Sequence, residues 1–124
     1  MKKVEAIIKE ERFEAVKTAL EDAGFIALTC TEVRGRGQQK GLSLQWRVGE
    51  YRVDLLPKMK VELVVHDEQA PKVMDIVCRT AKTGEIGDGM IFVMPVEDIC
   101  RVRTGERGEA ALPKLENHKV VAGV

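Results

Sequence analysis

The sequence predicts one α+β domain that consists of two β-α-β units in series. Its 124 residues suffice for one compact domain with a core of its own. Hydrophobic residues make up 44% and charged residues 32%, a balance typical of a folded protein with a polar surface. The apolar pattern of residues 4–33 recurs between residues 61 and 96, and this repetition is the strongest indication of the fold.

The first unit spans residues 4–33. A short β-like segment at 4–8 precedes a stretch from Glu11 to Ala23 in which apolar side chains recur at helical spacing. Gly24 then supplies a helix stop. Residues 25–33 return to the alternation of a strand with one apolar face, so we expect strand, helix and strand in that order.

The second unit repeats this order. Residues 61–65 have the pattern of a strand, a helical pattern follows Asp67, and the apolar segment 91–96 predicts the last strand. A shift of 57 positions places Val4 on Val61 and brings the two helical patterns into register.

The two units pack most simply as a four-stranded antiparallel sheet with both helices on one face, which is the ferredoxin-like plan. The other face of the sheet is then left without a helix. Apolar residues occur on both sides of the central strands 4–8 and 61–65, which predicts an apolar open face. A face of that kind is rare on monomers, so we expect subunits to bury it against each other.

A long connection joins the two units. It begins with glycines at 35, 37 and 41, and regular structure does not clearly resume before about Met59. Glycines leave backbone N–H groups uncovered, which suits an anionic ligand, and an ordinary flexible turn is the alternative. A connection of this length is usually functional or disordered.

A second glycine-rich segment, Thr83–Gly89, lies between the second helix and the last strand. Gly87 and Gly89 can expose N–H donors to a phosphate. A helix cap followed by a hairpin-like turn is the alternative interpretation of the same glycines.

Two arginines supply positive charge near the end of the second unit. We expect a helical turn at 96–100 and then a small strand, Arg101–Arg103, whose alternate residues point the same way. Paired guanidinium groups suit phosphate, and a solvated edge strand is the alternative. With Lys58 and the glycine segments they make up the parts of an anion pocket, although the chain has neither a Walker A sequence nor a GxGxxG that opens a helix.

The composition disfavours several other functions. Twenty basic and twenty acidic side chains give a formal net charge of zero, and aromatic residues make up 4%, so no nucleic-acid surface is predicted. Cys30, Cys78 and Cys100 are far apart, and we expect reduced core residues rather than a zinc site or disulfides. His66 and His118 suggest no nucleophile and base pair, which disfavours a small phosphatase or deaminase.

The start of the chain and its hydropathy bear on location. Residues 1–3 lead directly into apolar residues without a signal segment, and no apolar run reaches transmembrane length. We therefore expect a cytoplasmic protein that is not itself a membrane protein. We further expect a domain at 1–111 with a long mobile loop at 37–55, followed by a flexible tail at 112–124.

Seven short segments stand in an order that resembles the PII family of nitrogen-regulatory signal-transduction proteins, in particular its GlnK-type members. The resemblance runs from Met1 to about Ala111. The segments that carry it are Met1–Ile8, Thr31–Val33, Gln39–Gly41, Glu50–Tyr51, Leu56–Lys58, Thr83–Gly89 and Arg101–Glu106.

The resemblance implies a homotrimer whose sheets face inward, with ATP or ADP in each cleft between neighbouring subunits. The adenine would lie near Ile7, Thr29, Gly35 and Val64, and the ribose and phosphates near Gly87, Asp88, Gly89, Arg101 and Arg103. Further positions that belong to the implied nucleotide site are Gly37, Gln38, Gln39, Lys58 and Met90.

The resemblance also implies a second effector, 2-oxoglutarate, beside ATP. In similar proteins a Mg²⁺ ion joins the two, and Gln39 matches the metal ligand, an arrangement that suits a hard cation. Lys58 matches the residue that pairs with the effector's carboxylate. Lys40, Gly41 and Gly87 complete the implied effector site.

The function implied by the resemblance is regulation and not catalysis. The long loop, called the T-loop, would change conformation with the bound ligand, and target proteins would recognise its tip. The expected targets are an ammonium transporter, which would recruit the protein to the membrane, glutamine synthetase or a uridylyltransferase. Tyr51 matches a uridylylation acceptor, and a solvated linker tyrosine is the alternative; Trp46 and Val48 depart from the family's tip, which leaves the target open.

Two departures affect the nucleotide. Gln38 and Met90 stand where many relatives have arginine and lysine, so two positive charges are missing from the expected phosphate region. Each charge-assisted hydrogen bond contributes about 1.5 to 3 kcal/mol. We therefore expect a weakened preference for ATP over ADP, and the alternative is a divergent sensor that prefers ADP or AMP and does not respond to 2-oxoglutarate. A small ferredoxin-like enzyme is the remaining alternative.

Overall fold

The computed structural model describes residues 1–37, 42–46, 49–53 and 55–114 of the chain. Within these residues the chain forms two α-helices and six strands. In chain order they are β1 (Lys2–Lys9), α1 (Phe13–Asp22), β2 (Thr29–Gly35), β3 (Leu42–Trp46), β4 (Gly49–Val53), β5 (Leu56–Val65), α2 (Ala70–Ala81) and β6 (Gly89–Pro95).

The main sheet has four strands in the order β2-β5-β1-β6, and all neighbours are antiparallel. Strand β1 lies in the centre, where it pairs with β5 from Lys2↔Val65 to Lys9↔Lys58 and with β6 over most of its length. The prediction of a ferredoxin-like sheet with two helices is confirmed. Neither helix among the described residues is long and apolar enough to cross a membrane.

The core lies between the sheet and the two helices. Alternate residues of the central strands point towards the helices, and each helix turns a stripe of apolar side chains back onto them. Every side chain of this core is 7% exposed or less. Its members from the strands and helices include Val4, Ala6, Ile8, Val61, Leu63, Val65, Val16, Leu20, Val73 and Val77.

The end of α1 explains why β2 begins later than predicted. Gly24 has φ 95°, and the next N–H group, that of Phe25, donates to the Leu20 carbonyl at 2.8 Å. This is the pattern of a helix cap in which the residue after the glycine packs back on the helix. Phe25 is accordingly buried, and the strand that was expected from residue 25 begins at Thr29.

The open face of the sheet is less apolar than predicted. Because side chains alternate along a strand, Ile7 and Val64 face away from the helices together with charged neighbours. The charged residues of this face form ion pairs: Lys3 with Glu62, and Lys60 with Glu5 at 3.4 Å. The bond from Lys3 lowers the pKa of Glu62, and the bond to Glu62 raises the pKa of Lys3. The prediction of an apolar open face therefore holds for Ile7 and Val64 and is wrong for the ion-paired residues beside them.

Two further predictions are corrected by the structure. The connection between the units holds an antiparallel pair of strands, β3 and β4, and β5 begins at Leu56, earlier than the expected return of regular structure near Met59. The three cysteines are free and exposed rather than core residues. The reason is their placement, because Cys30 lies in the edge strand β2 and Cys78 lies on the outward side of α2.

Candidate functional site

The glycine-rich turn before β6 is held in shape by Asp88. One carboxylate oxygen of Asp88, Oδ2, accepts the backbone N–H groups of Thr83 and Gly84, both at 2.9 Å. The other, Oδ1, accepts the hydroxyl of Thr83 at 2.5 Å. These hydrogen bonds lower the pKa of Asp88 far below its ordinary value, and the bond from the Thr83 hydroxyl has the largest effect. Desolvation of the carboxylate opposes them and is outweighed. The carboxylate thus faces into the turn, so Asp88 determines the shape of the loop.

Two lysines lie on this turn from neighbouring strands. Lys9 and Lys58 are cross-strand partners at the ends of β1 and β5. Lys58 is 8% exposed, and its Nζ donates to the Gly87 carbonyl at 2.6 Å. Lys9 Nζ donates to the Thr83 hydroxyl at 3.0 Å and lies 3.3 Å from Asp88 Oδ1. Two ammonium groups against one carboxylate leave this corner positive.

Lys9 was not among the residues that the sequence singled out. It is the last residue of β1, and a strand register in which it faces Lys58 would have indicated it. Like charges directly opposite each other in a sheet are unfavourable unless a third group separates them or an anion binds. Here the turn supplies that third group.

The two later glycines of the turn have conformations that other residues rarely adopt. Gly87 has φ 95° and Gly89 has φ 110°. A Cβ on Gly87 would lie 3.4 Å from Lys58 Nζ, and a Cβ on Gly89 would lie far inside contact distance of the Ile7 carbonyl oxygen. Glycine is therefore needed to bring the turn against both strands.

Several predicted nucleotide residues share one end of the sheet with this turn. Gly35 ends β2 opposite Leu56, Ile7 pairs with Met90, and Gly37 lies just beyond β2. We call this region the turn end, defined by Ile7, Gly35, Lys58 and Gly87–Met90. Its backbone N–H groups, glycines and ammonium groups are suited to a phosphate or a carboxylate.

The remaining predicted residues of the described chain lie further from the turn. Thr29 begins β2 opposite Glu62, in the middle of the sheet, and Val64 pairs with Lys3 near the far end of β1. Arg101 and Arg103 follow β6, which leaves the sheet at this far end. We call this region the arginine end, defined by Val64, Arg101 and Arg103. Along β6 the two ends are separated by the six steps from Gly89 to Pro95, about 20 Å at the rise of a strand.

Arg101 and Arg103 do not form the predicted strand. The Gly105 N–H group donates to the Arg101 carbonyl at 2.7 Å, and the Arg101 N–H group donates to the Glu106 carbonyl at 2.8 Å. The chain therefore makes a tight turn, closed by a single bridge between Cys100 and Arg107. The predicted helical turn at 96–100 is also wrong, and strand alternation does not set the directions of the two arginines.

Arg101 is fixed by a bond to the end of the described chain. Its Nη2 donates to the carbonyl of Ala111 at 2.5 Å, and its Nε lies 3.9 Å from Glu106 Oε1. Arg103 is exposed. A guanidinium group has five N–H donors, so the bond to Ala111 leaves Arg101 several donors for an anion.

Some predicted positions lie outside the described residues. These are Gln38, Gln39, Lys40, Gly41, Val48 and His118. Trp46 lies in β3 and Tyr51 in β4, and the modification of Tyr51 stays a prediction. In the part of the chain that the structure describes, no three His, Cys, Asp or Glu side chains are grouped as ligands of a metal ion.

Comparisons with known proteins agree with the resemblance. A family model described as nitrogen regulatory protein P-II matches residues 1–106. The chain is 50% identical over 112 residues to nitrogen regulatory protein P-II 2 of Methanothermobacter thermautotrophicus, an alignment that covers 90% of this chain and 97% of that protein.

Two other relatives are similar to the same degree. The nitrogen regulatory proteins P-II of Microchaete diplosiphon and Nostoc punctiforme are each 51% identical over 112 residues, which cover 90% of this chain and the whole length of each relative. All three relatives are named as regulatory proteins and not as enzymes. The chain therefore belongs to the P-II nitrogen regulatory protein family.

Proposed function

We propose that this protein is a PII-type signalling protein that binds ATP or ADP in clefts between copies of the chain. The observation that supports this most is the separation of the two ends of the sheet by about 20 Å. The turn end and the arginine end of one chain are too far apart to hold the same phosphates. They can share a nucleotide only if one copy supplies the turn end and its neighbour supplies the arginine end.

This division also favours a ring of subunits. A contact between two different surfaces is heterologous, and heterologous contacts close into rings when the rotation permits. The family resemblance gives three as the number of copies. The open sheet face, with Ile7, Val64 and Phe92 beside its ion pairs, is the surface that we expect to lie inside the trimer.

The chemistry of the turn end suits both proposed ligand classes. The N–H groups of the turn and the ammonium groups of Lys9 and Lys58 can hold phosphate oxygens. In the described structure Lys58 donates to the carbonyl of Gly87, so a carboxylate such as that of 2-oxoglutarate would have to take over this donor. The Mg²⁺ ion of the family would join nucleotide and effector at Gln39.

The preference among nucleotides is expected to be shifted. Met90 lies directly after Gly89 and is 62% exposed, where many relatives have a lysine. This position adds no charge to the γ-phosphate region, which supports a smaller advantage of ATP over ADP. The second candidate function is a sensor that prefers ADP or AMP and does not respond to 2-oxoglutarate. The missing charge at Met90 supports this candidate as well.

We further propose that the protein regulates targets of nitrogen metabolism in the cytoplasm through the segment 37–55. The candidate targets are an ammonium transporter, glutamine synthetase and a uridylyltransferase. The transporter would bring the protein to the membrane surface.

A mixing experiment tests the shared site. Met90→Glu places a negative charge at the turn end, and Arg103→Ala removes a cation from the arginine end; both residues are exposed, so both variants are expected to fold. Each variant alone should bind nucleotide weakly. The two variants are then unfolded together and refolded as mixed trimers. Each mixed ring should contain one intact cleft, in which Arg103→Ala supplies the turn end and Met90→Glu supplies the arginine end.

Calorimetry with ATP, ADP and AMP, each with and without Mg²⁺ and 2-oxoglutarate, measures the recovery and the ligand preference. Mixed trimers without recovered binding would show that one chain supplies the whole site. A chain that sediments as a monomer while it binds nucleotide would contradict the proposal in the same way.

A further inference from the structure

The chain folds back over the arginine end after its last turn. Residues 108–111 form a short 3₁₀ turn in which Ala111 is 5% exposed. The Gly108 N–H group donates to the Ile99 carbonyl at 3.0 Å, and the Leu112 N–H group donates to the Glu109 carbonyl at 3.1 Å. We call residues 108–113 the C-terminal strap. It covers a cavity of ≈ 60 Å³ that lies beside His66 at the end of β5.

Two side chains hold the strap by neighbouring carbonyl groups. Arg101 Nη2 donates to the Ala111 carbonyl at 2.5 Å, and His66 Nε2 lies 2.9 Å from the Pro113 carbonyl. His66 is 9% exposed and is fixed by its own backbone, whose N–H group donates to Gln69 Oε1 at 3.1 Å. The strap therefore connects a buried histidine to one of the arginines.

The bond to Pro113 determines where the ring carries its proton. A carbonyl oxygen only accepts, so Nε2 must be the donor. The other ring nitrogen, Nδ1, lies 3.5 Å from the carboxylate oxygen Oε1 of Glu109, which is also on the strap.

Few other charges lie near the ring. Lys114 follows the strap along the rim of the same cavity, and the β5 and α1 sides of that cavity contribute apolar residues. Gln69, from the turn after β5, is neutral. Asp67 is next in the chain, exposed, and paired with the N-terminal ammonium group at 2.9 Å and with Lys2 at 3.1 Å. Glu109 is the carboxylate that lies against the ring.

We propose that His66 is a positioning residue for Arg101, which it controls through the C-terminal strap. The ring anchors Pro113, the strap holds the Ala111 carbonyl, and this carbonyl orients the guanidinium group towards the inter-subunit cleft. Loss of the ring's bond to Pro113 should therefore loosen the strap, free Arg101 to move and weaken phosphate binding. This inference rests on the proposed function, in which Arg101 contacts the nucleotide.

Two variants separate the steps. His66→Gln keeps an N–H donor for Pro113, and His66→Ala removes the donor. The ADP affinity of wild type and of both variants is measured by calorimetry at neutral pH. His66→Ala should weaken ADP binding about three- to tenfold, the usual effect of one lost hydrogen bond.

Rescue by the conservative variant distinguishes positioning from mere stability. Both variants lose the packing of the imidazole ring, and only His66→Gln keeps a donor for Pro113. His66→Gln should therefore bind ADP nearly as tightly as wild type. Equal ADP affinities for wild type and His66→Ala, or equally weakened affinities for the two variants, would overturn the inference.

Hydrogen exchange keeps the two proposals apart. The amide of Leu112 should exchange faster in His66→Ala than in wild type and at a nearly wild-type rate in His66→Gln. If wild type binds no nucleotide, the proposed function fails while this exchange still reports on the strap. If wild type binds nucleotide and exchange at Leu112 does not change in His66→Ala, only the inference fails.

Discussion

Gly89 lies against the backbone of Ile7 so closely that a Cβ on Gly89 would be 1.8 Å from the Ile7 carbonyl oxygen. The two residues belong to paired strands, and Gly89 is the first residue of β6. The approach brings the turn that precedes β6 onto the end of β1. The absence of one side chain thus determines where the candidate phosphate loop lies.

Gly89→Ala should therefore be strongly destabilising. The added Cβ would overlap a backbone atom that cannot move without the sheet, and φ 110° is strained for alanine as well. We expect the free energy of unfolding to fall by about 2 to 4 kcal/mol, measured by urea denaturation.

Gly84→Ala is the matched control. Gly84 also has a positive φ, 87°, and nothing lies within 4 Å of a Cβ built on it. Its cost should be limited to backbone strain, about 1 kcal/mol. Equal losses for the two variants would show that conformation, and not the contact with Ile7, requires glycine at position 89.

Asp88→Asn should loosen the same turn in a manner that depends on pH. An amide keeps one acceptor oxygen and puts an NH₂ group where the carboxylate accepts N–H donors or the Thr83 hydroxyl. Because the pKa of Asp88 in the folded state is below its ordinary value, the unfolded chain takes up the proton more readily. The stability that the carboxylate contributes is present above about pH 4 and is lost as the pH falls through the folded-state pKa.

Melting temperatures from neutral to acidic pH measure this effect. The variant should melt below wild type at neutral pH, and the gap should close in acid. Asp75→Asn, at an exposed position of α2, is the control and should shift the melting temperature little at any pH. A gap that persists unchanged below about pH 2 would contradict the role of the ionised carboxylate.

The fold could be predicted because the apolar period of each element agrees with its place in the sheet. The prediction of an apolar open face was right only in part. Alternation along each strand places Lys3 on the same face as Ile7 and Glu62 on the same face as Val64, and the pairing of β1 with β5 brings the four residues together.

The site could be predicted in its parts and not in their arrangement. The turn at Gly87 was identified by its glycines, whereas Lys9 carries no local signal and became visible through its partner Lys58. Arg101 and Arg103 fit a strand pattern locally. Gly105 instead allows the chain to form a turn in which its N–H group donates to the Arg101 carbonyl. The alternation of side chains at 101–103 does not predict this turn.

Glu62→Lys should weaken assembly. Glu62 forms an ion pair with Lys3 and lies 4.0 Å from Lys60 on the open face. A lysine at position 62 would therefore place three ammonium groups, its own and those of Lys3 and Lys60, close to one another. If the open face lies inside a trimer, this repulsion is buried, and association should weaken at least about tenfold. Sedimentation equilibrium at several protein concentrations measures it.

Glu14→Lys is the control for charge reversal. Glu14 pairs with Lys17 at 3.0 Å on the outside of α1 and is 75% exposed in its side chain. This variant should assemble like wild type. An unchanged mass for Glu62→Lys would place the subunit contact on another surface of the chain.

Met90→Lys should restore discrimination by the γ-phosphate. Met90 follows Gly89 at the turn end and is 62% exposed, so a lysine fits without repacking and adds an ammonium group beside those of Lys9 and Lys58. One charge-assisted hydrogen bond contributes about 1.5 to 3 kcal/mol, so the ratio of ATP to ADP affinity should rise by about tenfold or more. Met74→Lys, at an exposed position of α2, adds the same charge away from the turn and should leave the ratio unchanged. Calorimetric titrations of both variants with ATP and ADP give the two ratios. If Met90→Lys strengthens ATP and ADP binding equally, the added charge lies nearer the β-phosphate, and Met90 does not account for a reduced preference for ATP.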